Sequence, residues 1–287
     1  MRAGIRRSLL LVVLAALLSA CGSSGSSSPS IPTVAPAKTF QLIDFRPSAA
    51  VAAGKAVQLS FRIQLPSGKA LTRFKTGAGP HTGVHLIIVR DDLSAIVHRH
   101  PQVAADGTVR HSVTFPAPGR YHVLVDSYPV IPDTPQLVNF QLTSSVTVKG
   151  TEQPITLPAY RPEVTVDGYH VQILKTPSIT SLEPAFVTIR IRDAAGKAPH
   201  LQPYYGALAH AIFFRKGSLA YFHTHICAPK APGCSSLVGG AALRGSGSAN
   251  GLLHVGILLP QSGTWRLFLQ FRVQGRIVTA PFTLQVK

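Results

Sequence analysis

From residue 39 onward, apolar and polar positions alternate with a period of two over short stretches, and turn residues break the alternation every eight to twelve positions. Ala56 to Leu65 reads AVQLSFRIQL and turns at Pro66-Ser67-Gly68-Lys69; Ala185 to Ile191 reads AFVTIRI and turns at Asp193 to Lys197. No stretch carries a convincing helical period. About seven short strands in each half predict an all-β chain, built as two tandem antiparallel immunoglobulin-like β-sandwiches. The cysteine-tryptophan-cysteine signature of antibody domains is absent, so the expectation concerns architecture alone.

The halves are copies. VHLIIVRDDLSAIVHRH, from Val84 to His100, returns as AHAIFFRKGSLAYFHTH, from Ala209 to His225, at an offset of 125 residues. HSVTFPAPGRYHVLVD, from His111 to Asp126, is answered by VGILLPQSGTWRLFLQ, from Val255 to Gln270, with Pro116, Gly119 and Tyr121 matched by Pro260, Gly263 and Trp265. Each of these two segments reads as a strand, a tight Pro/Gly turn and a strand, hence a second hairpin. The organisation expected is a first sandwich over 39–150, a polar linker over 151–162 and a second sandwich over 163–287.

In the first-named pair an apolar run, a polar turn and another apolar run predict a β-hairpin. His85, His98 and His100 match His210, His223 and His225. Side chains alternate along a strand, so His98 and His100 share a face, as do His223 and His225. A two-residue turn pairs His85 with His98 and a four-residue turn pairs it with His100; either register keeps three imidazoles on one face.

Residues 1–20 read as a signal peptide, with Arg2, Arg6 and Arg7 before an apolar run from Leu9 to Leu18. Leu18-Ser19-Ala20-Cys21 resembles the bacterial lipobox, which implies cleavage before Cys21 and lipid on its sulfur. Residues 21–38 are then a Ser/Gly/Pro tether, and the protein hangs from the outer face of the cell membrane. No later run is long and apolar enough to cross a membrane as a helix. Losing the three signal arginines lowers the formal charge from +17 to +14, a balance that favours anionic cell-envelope surfaces. The basic residues are scattered and carry no nucleic-acid-binding motif, so no nucleic-acid partner is expected. Of the remaining cysteines, Cys227 and Cys234 suit a disulfide in an oxidising compartment. Cys227 also alternates with His223 and His225, so a place among metal ligands stays open.

The histidine-bearing strand, the HxHP segment at His98-Arg99-His100-Pro101 and FPAPGRY at Phe115 to Tyr121 resemble exported bacterial sandwich domains of the YtkA-like and FixH-like kind, and actinobacterial lipoproteins built from two of them. The resemblance covers most of residues 40–287. It implies heavy-metal association, copper especially, through His85, His98, His100 and their counterparts. Met1 is the only methionine, so no thioether is available for a soft cuprous ion.

Independently of that resemblance, an H-x-H pair plus a cross-strand histidine offers three nitrogens, a set that suits copper(II) or zinc. His81, His111, Asp126, His200 and His254 are candidates for a further ligand or for orienting one. One ion per repeat is the expectation. The alternative is a structural or adhesive surface module, with the histidines hydrogen-bonded to loops and contacts made by Tyr204-Tyr205 or the insertion Leu237 to Gly251. Catalysis is not expected, since there is no HExxH motif, serine elbow, phosphate loop or paired carboxylate.

Overall fold

The computed structural model describes residues 39–77, 79–132, 139–228, 237–238, 241–242 and 245–287. The signal peptide, the tether, Cys21, Cys234 and part of the 237–251 insertion lie outside the described residues. Thr39–Lys287 form one compact unit.

The first half contributes β1 (Gln41–Arg46), β2 (Val51–Ala52), β3 (Ala56–Gln64), β4 (Val84–Arg90), β5 (Ile96–Arg99), β6 (Val109–Thr114), β7 (Gly119–Ser127) and β8 (Phe140–Lys149). They make two sheets, ordered β1-β3-β6 and β2-β8-β7-β4-β5. The second half contributes β9 (Glu163–Val166), β10 (Tyr169–Ile173), β11 (Ala185–Asp193), β12 (Ala209–Arg215), β13 (Tyr221–Cys227), β14 (Leu237–Val238), β15 (Ala241–Ala242), β16 (Gly245–Gly247), β17 (Leu252–Ile257), β18 (Gly263–Val273) and β19 (Arg276–Val286). Apart from the small β14-β15 pair, these join in the order β19-β18-β12-β13-β16-β17-β11-β10-β9. The chain is thus all-β, with two tandem immunoglobulin-like sandwiches. Among the described strands, pairing is antiparallel except at β2–β8 and β13–β16.

β16 makes the second half differ from the first. It lies parallel to β13 and antiparallel to β17, bridging two layers that stay separate in the first repeat. Glycine permits the approach: a Cβ on Gly245 would sit 2.8 Å from the His225 carbonyl oxygen, and one on Gly247 would sit 2.7 Å from Leu253.

The expected second hairpins are corrected. β6 pairs with β3 and β7 with β4 and β8, so the Pro/Gly turn carries the chain from one layer to the other. β17 and β18 part in the same way. The matched aromatics pin these corners. The Tyr121 hydroxyl donates to the Ala117 carbonyl at 3.0 Å, and the Trp265 indole N–H donates to the Gln261 carbonyl at 2.9 Å. Such a bond, four residues back, is the tyrosine corner of immunoglobulin-like folds, with tryptophan in the second copy.

Each half has its own core, one around Phe61, Leu86 and Val125 and the other around Phe213, Trp265 and Phe282. A third cluster joins Ile87, Val89, Leu93 and Leu124 of the first repeat to Ile212, Phe214 and Phe268 of the second. Every residue of β4 is buried, because one face packs into its own sandwich and the other against the neighbouring repeat. The segment between the repeats is also held. Buried Arg90 pairs with Asp92 and donates to the carbonyls of Pro118 and Gln153, while Asp92 accepts the Ile155 N–H at 2.8 Å. Leu157 packs on the shared cluster.

Candidate metal centre

The pairing on both hairpins follows the four-residue turn. Leu86 faces Arg99 and Ile87 faces His98, which sets His85 opposite His100; in the second copy His210 faces His225. His85 and His210 alternate with Ile87, Val89, Ile212 and Phe214, the residues of the shared cluster, so the histidine faces of the two repeats meet each other. The ring centroids of His98 and His210 are 5.0 Å apart, those of His98 and His223 5.1 Å, and those of His85 and His225 5.8 Å. Six histidines form one cluster between the sandwiches.

Hydrogen bonds fix most of the tautomers. His85 donates from Nε2 to the Pro80 carbonyl at 2.8 Å, which leaves the lone pair on Nδ1. His210 donates from Nε2 to the Tyr204 carbonyl at 3.1 Å, so its Nδ1 accepts from Nε2 of His223 at 3.3 Å. The His223 lone pair is then on Nδ1. Gln270 gives its amide NH2 to Thr279, presenting Oε1 to Nδ1–H of His98 at 3.2 Å. Nε2 of His98 then accepts from Nε2 of His100 at 3.1 Å. This accounting leaves Nδ1 of His85, Nδ1 of His223 and both ring nitrogens of His225 buried without a hydrogen-bond partner. Each such atom costs about 1–3 kcal/mol.

Three sets of histidines place one nitrogen apiece within 4.8 Å of one another: His85, His98 and His100; His85, His223 and His225; and His98, His210 and His223. Two of the three sets cross between repeats, and any two share a residue. Among the described residues, His210, His223 and His225 do not form such a set by themselves.

Burial lowers the pKa of all six histidines, and the neighbouring imidazoles lower most of them further. His85 falls to about 3 and His210 to about 4, so the cluster is neutral at physiological pH and its lone pairs are available.

The remaining candidates divide. His81 joins the cluster: its ring lies 4.8 Å from that of His225, and its Nδ1 is 3.1 Å from the Tyr128 hydroxyl. Asp126 lies across the strand pair from His85, accepts a hydrogen bond from Asn139 at 2.8 Å, and is raised by burial to about 6. His111 sits on β6 in the opposite layer, and His254 on β17 contacts Thr188 at 3.0 Å. His200 lines a separate cavity with Tyr169 and Asp193. Cys227 is disulfide-bonded, which removes it as a thiolate ligand. Sequence reasoning missed Gln270, and offered Tyr205 only as a surface contact of an adhesive module. Gln270 matches Asp126 in the repeat alignment; Tyr205 stacks on His100 at 3.9 Å between centroids and 3° between planes.

Fold and site together describe a tandem immunoglobulin-like chain with a buried histidine cluster at the junction of its repeats. The chain belongs to the family described as a domain of unknown function (DUF8832), which matches residues 39–145 and 164–287. The description names neither the YtkA-like nor the FixH-like family. No curated protein matches. Among solved structures, the chain is similar to the Lin-41 filamin domain at 11% identity, covering 45% of this chain and 98% of that one, with a TM-score of 0.24. It is similar to fibronectin(III)-like modules of Clostridium thermocellum CbhA at 12% identity, covering 86% and 93%, with a TM-score of 0.20. To a Salmonella alpha-2-macroglobulin mutant the identity is 15% and the TM-score 0.25; the match takes in 88% of this chain and 15% of that one. TM-scores this low add nothing to what the strands themselves show.

Proposed function

We propose that the chain is a protein lipid-anchored on the outer face of the cell membrane that binds one divalent transition metal ion, copper(II) or zinc, between its repeats. The observation that carries this reading is the set His85, His223 and His225. Its nitrogens converge, it draws on both repeats, and each of its members has a buried nitrogen without a hydrogen-bond partner. A metal ion accepts such lone pairs and offsets the cost of burying them. The carbonyl behind His85 holds its ring as a metal-bound imidazole is ordinarily held. The one-ion-per-repeat expectation becomes one ion per chain, because the three sets share members. The resemblance to exported heavy-metal-associated domains agrees with this role, as does the lipobox at Cys21. The reading is of a binding protein rather than an enzyme.

Adding copper(II) or zinc at a hundredfold excess over Kd should stabilise the chain by about 2.7 kcal/mol in chemical denaturation. His225→Ala should lose that increment. A wild-type chain whose stability ignores both metals contradicts the proposal and favours a structural or adhesive module. For the anchor, wild type should enter the detergent phase and Cys21→Ser should stay in water; equal partition of the two would sink the lipoprotein reading.

A further inference from the structure

Strands β9, β10, β11 and β17 form a layer of the second repeat that carries none of the six clustered histidines. Val187, Ile189 and Ile191 of β11 point into the core, so Phe186, Thr188, Arg190 and Arg192 point away from it. Register fixes what stands beside them. His170 neighbours Arg192, Gln172 and Leu252 flank Arg190, His254 neighbours Thr188, and Gly256 offers Phe186 no side chain to pack on. Phe186 is 60% exposed and Leu252 37%. Beyond them the Leu182 N–H donates to the Leu259 carbonyl at 2.8 Å, and the Leu182 side chain is 73% exposed. Of the large apolar residues exposed among the described ones, these three gather on one layer, while Val130, Ile155 and Ile277 sit on other elements.

Neither packing nor backbone requires these residues. Leu182 holds a φ of 63°, a conformation taken most readily by glycine and asparagine. The matching layer of the first repeat is polar: Ile189-Arg190-Ile191 aligns with Phe61-Arg62-Ile63, which sets Gln58 against Phe186, Gln64 against Arg192 and Thr108 against Leu252. Its Arg62 is paired with Asp44, whereas Arg190 and Arg192 make no ion pair among the described residues. Among the described residues one acidic side chain occupies the outward strand positions, Glu163 on the edge strand β9, and it lies 3.2 Å from Nδ1 of His170. Asp193, at the end of β11, accepts from the N–H groups of Ala195 and Lys197, and Glu183 follows Leu182 in the chain.

Exposed apolar side chains beside unpaired guanidiniums suit a surface that offers acyl chains and phosphates together. We propose that this layer is the face by which the chain lies on a bilayer of anionic phospholipid. Leu182, Phe186 and Leu252 enter the boundary between headgroups and acyl chains, and Arg190 and Arg192 donate to lipid phosphates. The net positive charge of the chain draws it to such a surface. The Cys21 anchor proposed above supplies a bilayer within reach, since 18 residues, 21–38, span at most about 65 Å. Binding by the face itself depends on neither the anchor nor the metal reading.

The test uses the signal-free chain, without metal, and vesicles of phosphatidylglycerol mixed with phosphatidylcholine. Co-sedimentation should show binding to these vesicles and none to phosphatidylcholine alone. Arg190→Gln combined with Arg192→Gln should weaken binding about tenfold or more. Lys55→Gln combined with Arg110→Gln, an equal loss of charge from exposed positions of the first repeat, should weaken it less than about threefold. Leu182→Ser combined with Phe186→Ser, at unchanged charge, should also weaken it about tenfold, and Arg190→Lys with Arg192→Lys should keep most of it. An indole introduced by Phe186→Trp should be quenched by brominated lipid, while buried Trp265 should not. No binding, equal binding to neutral vesicles, equal weakening by the two charge-removing pairs, or indifference to the serine pair would each overturn the assignment. Soluble polyglutamate bound as tightly as the vesicles would also overturn it and give the face to an anionic polymer. Vesicle binding that depends on these residues, in a protein whose Cys21→Ser form partitions like wild type, would uphold the face and defeat the anchor alone.

Discussion

In the first repeat, the strand beside β4 sets Asp126 across from His85; in the second, the same register sets Gln270 across from His210. The two positions do different work. Both meet the other repeat: Gln270 fixes the tautomer of His98, whereas Asp126 is a buried carboxyl bonded to Asn139 and set beside the Tyr221 hydroxyl of β13. Arg90 and Arg215 also correspond. Arg90 is 2% exposed and clamps the segment between the repeats, while Arg215 is partly exposed and bonds to Ser262 and Ser218 in its own half. The duplicated hairpin supplied two equal faces, and pressing them together made their neighbours unequal. The proposed metal set drawn from that junction takes one histidine from the first repeat and two from the second.

The largest expected effect concerns acid. All six histidines have folded pKa values below 6.5, so between that pH and their lowered values the unfolded chain binds more protons than the folded one. Their contribution to stability is complete above about 6.5 and is lost as pH falls, by about 1.4 kcal/mol per pH unit for each histidine. Asp126, raised to about 6, opposes this with a single proton, its contribution being lost as pH rises through that value. Denaturation midpoints of the metal-free chain should fall steeply from pH 7 to pH 5. A flat profile would mean that water reaches the cluster and that the faces are not pressed together.

Next come substitutions at the junction. Phe214→Ala, on the shared cluster, should cost about 3–5 kcal/mol, whereas Phe186→Ala, at a phenylalanine 60% exposed, should cost less than about 1 kcal/mol. Equal costs would break the claim that the second face of β12 is interior. Arg90→Ala should cost about 3–5 kcal/mol by leaving Asp92 without its charge partner. Arg215→Ala should cost at most about 1 kcal/mol, as its contacts are to neutral groups near solvent. Both are read from urea titrations. The smallest effect is at the corner, where Tyr121→Phe should lose about 1 kcal/mol with the hydroxyl bond to Ala117.

Much of this was legible in the sequence. Period-two alternation located β3 and β11, apolar runs broken by a polar turn located β4 and β12, and the 125-residue offset revealed the histidine face repeated in both halves. Three things were not legible, each for a physical reason. A strand, a Pro/Gly turn and a strand look alike whether the turn folds a hairpin or crosses between layers, since neither the turn residues nor the period records the partner strand. The junction was only half visible: HLIIV and HAIFF are apolar on both faces, which signals strands buried on both sides, but alternation within one strand cannot say that the second cover is the other repeat. Gln270 carried no signal of its own, because its role depends on a histidine 172 residues away.

The central claim is that one ion is held jointly by the two repeats, and counting ions tests it most directly. Elemental analysis of the signal-free chain, loaded with zinc or copper(II) and freed of excess metal, should give one ion per chain. His85→Ala in the first repeat and the His223→Ala, His225→Ala pair in the second should each abolish it. Two ions per chain, falling to one when His85 is replaced, would contradict the shared site and restore an independent site in each repeat.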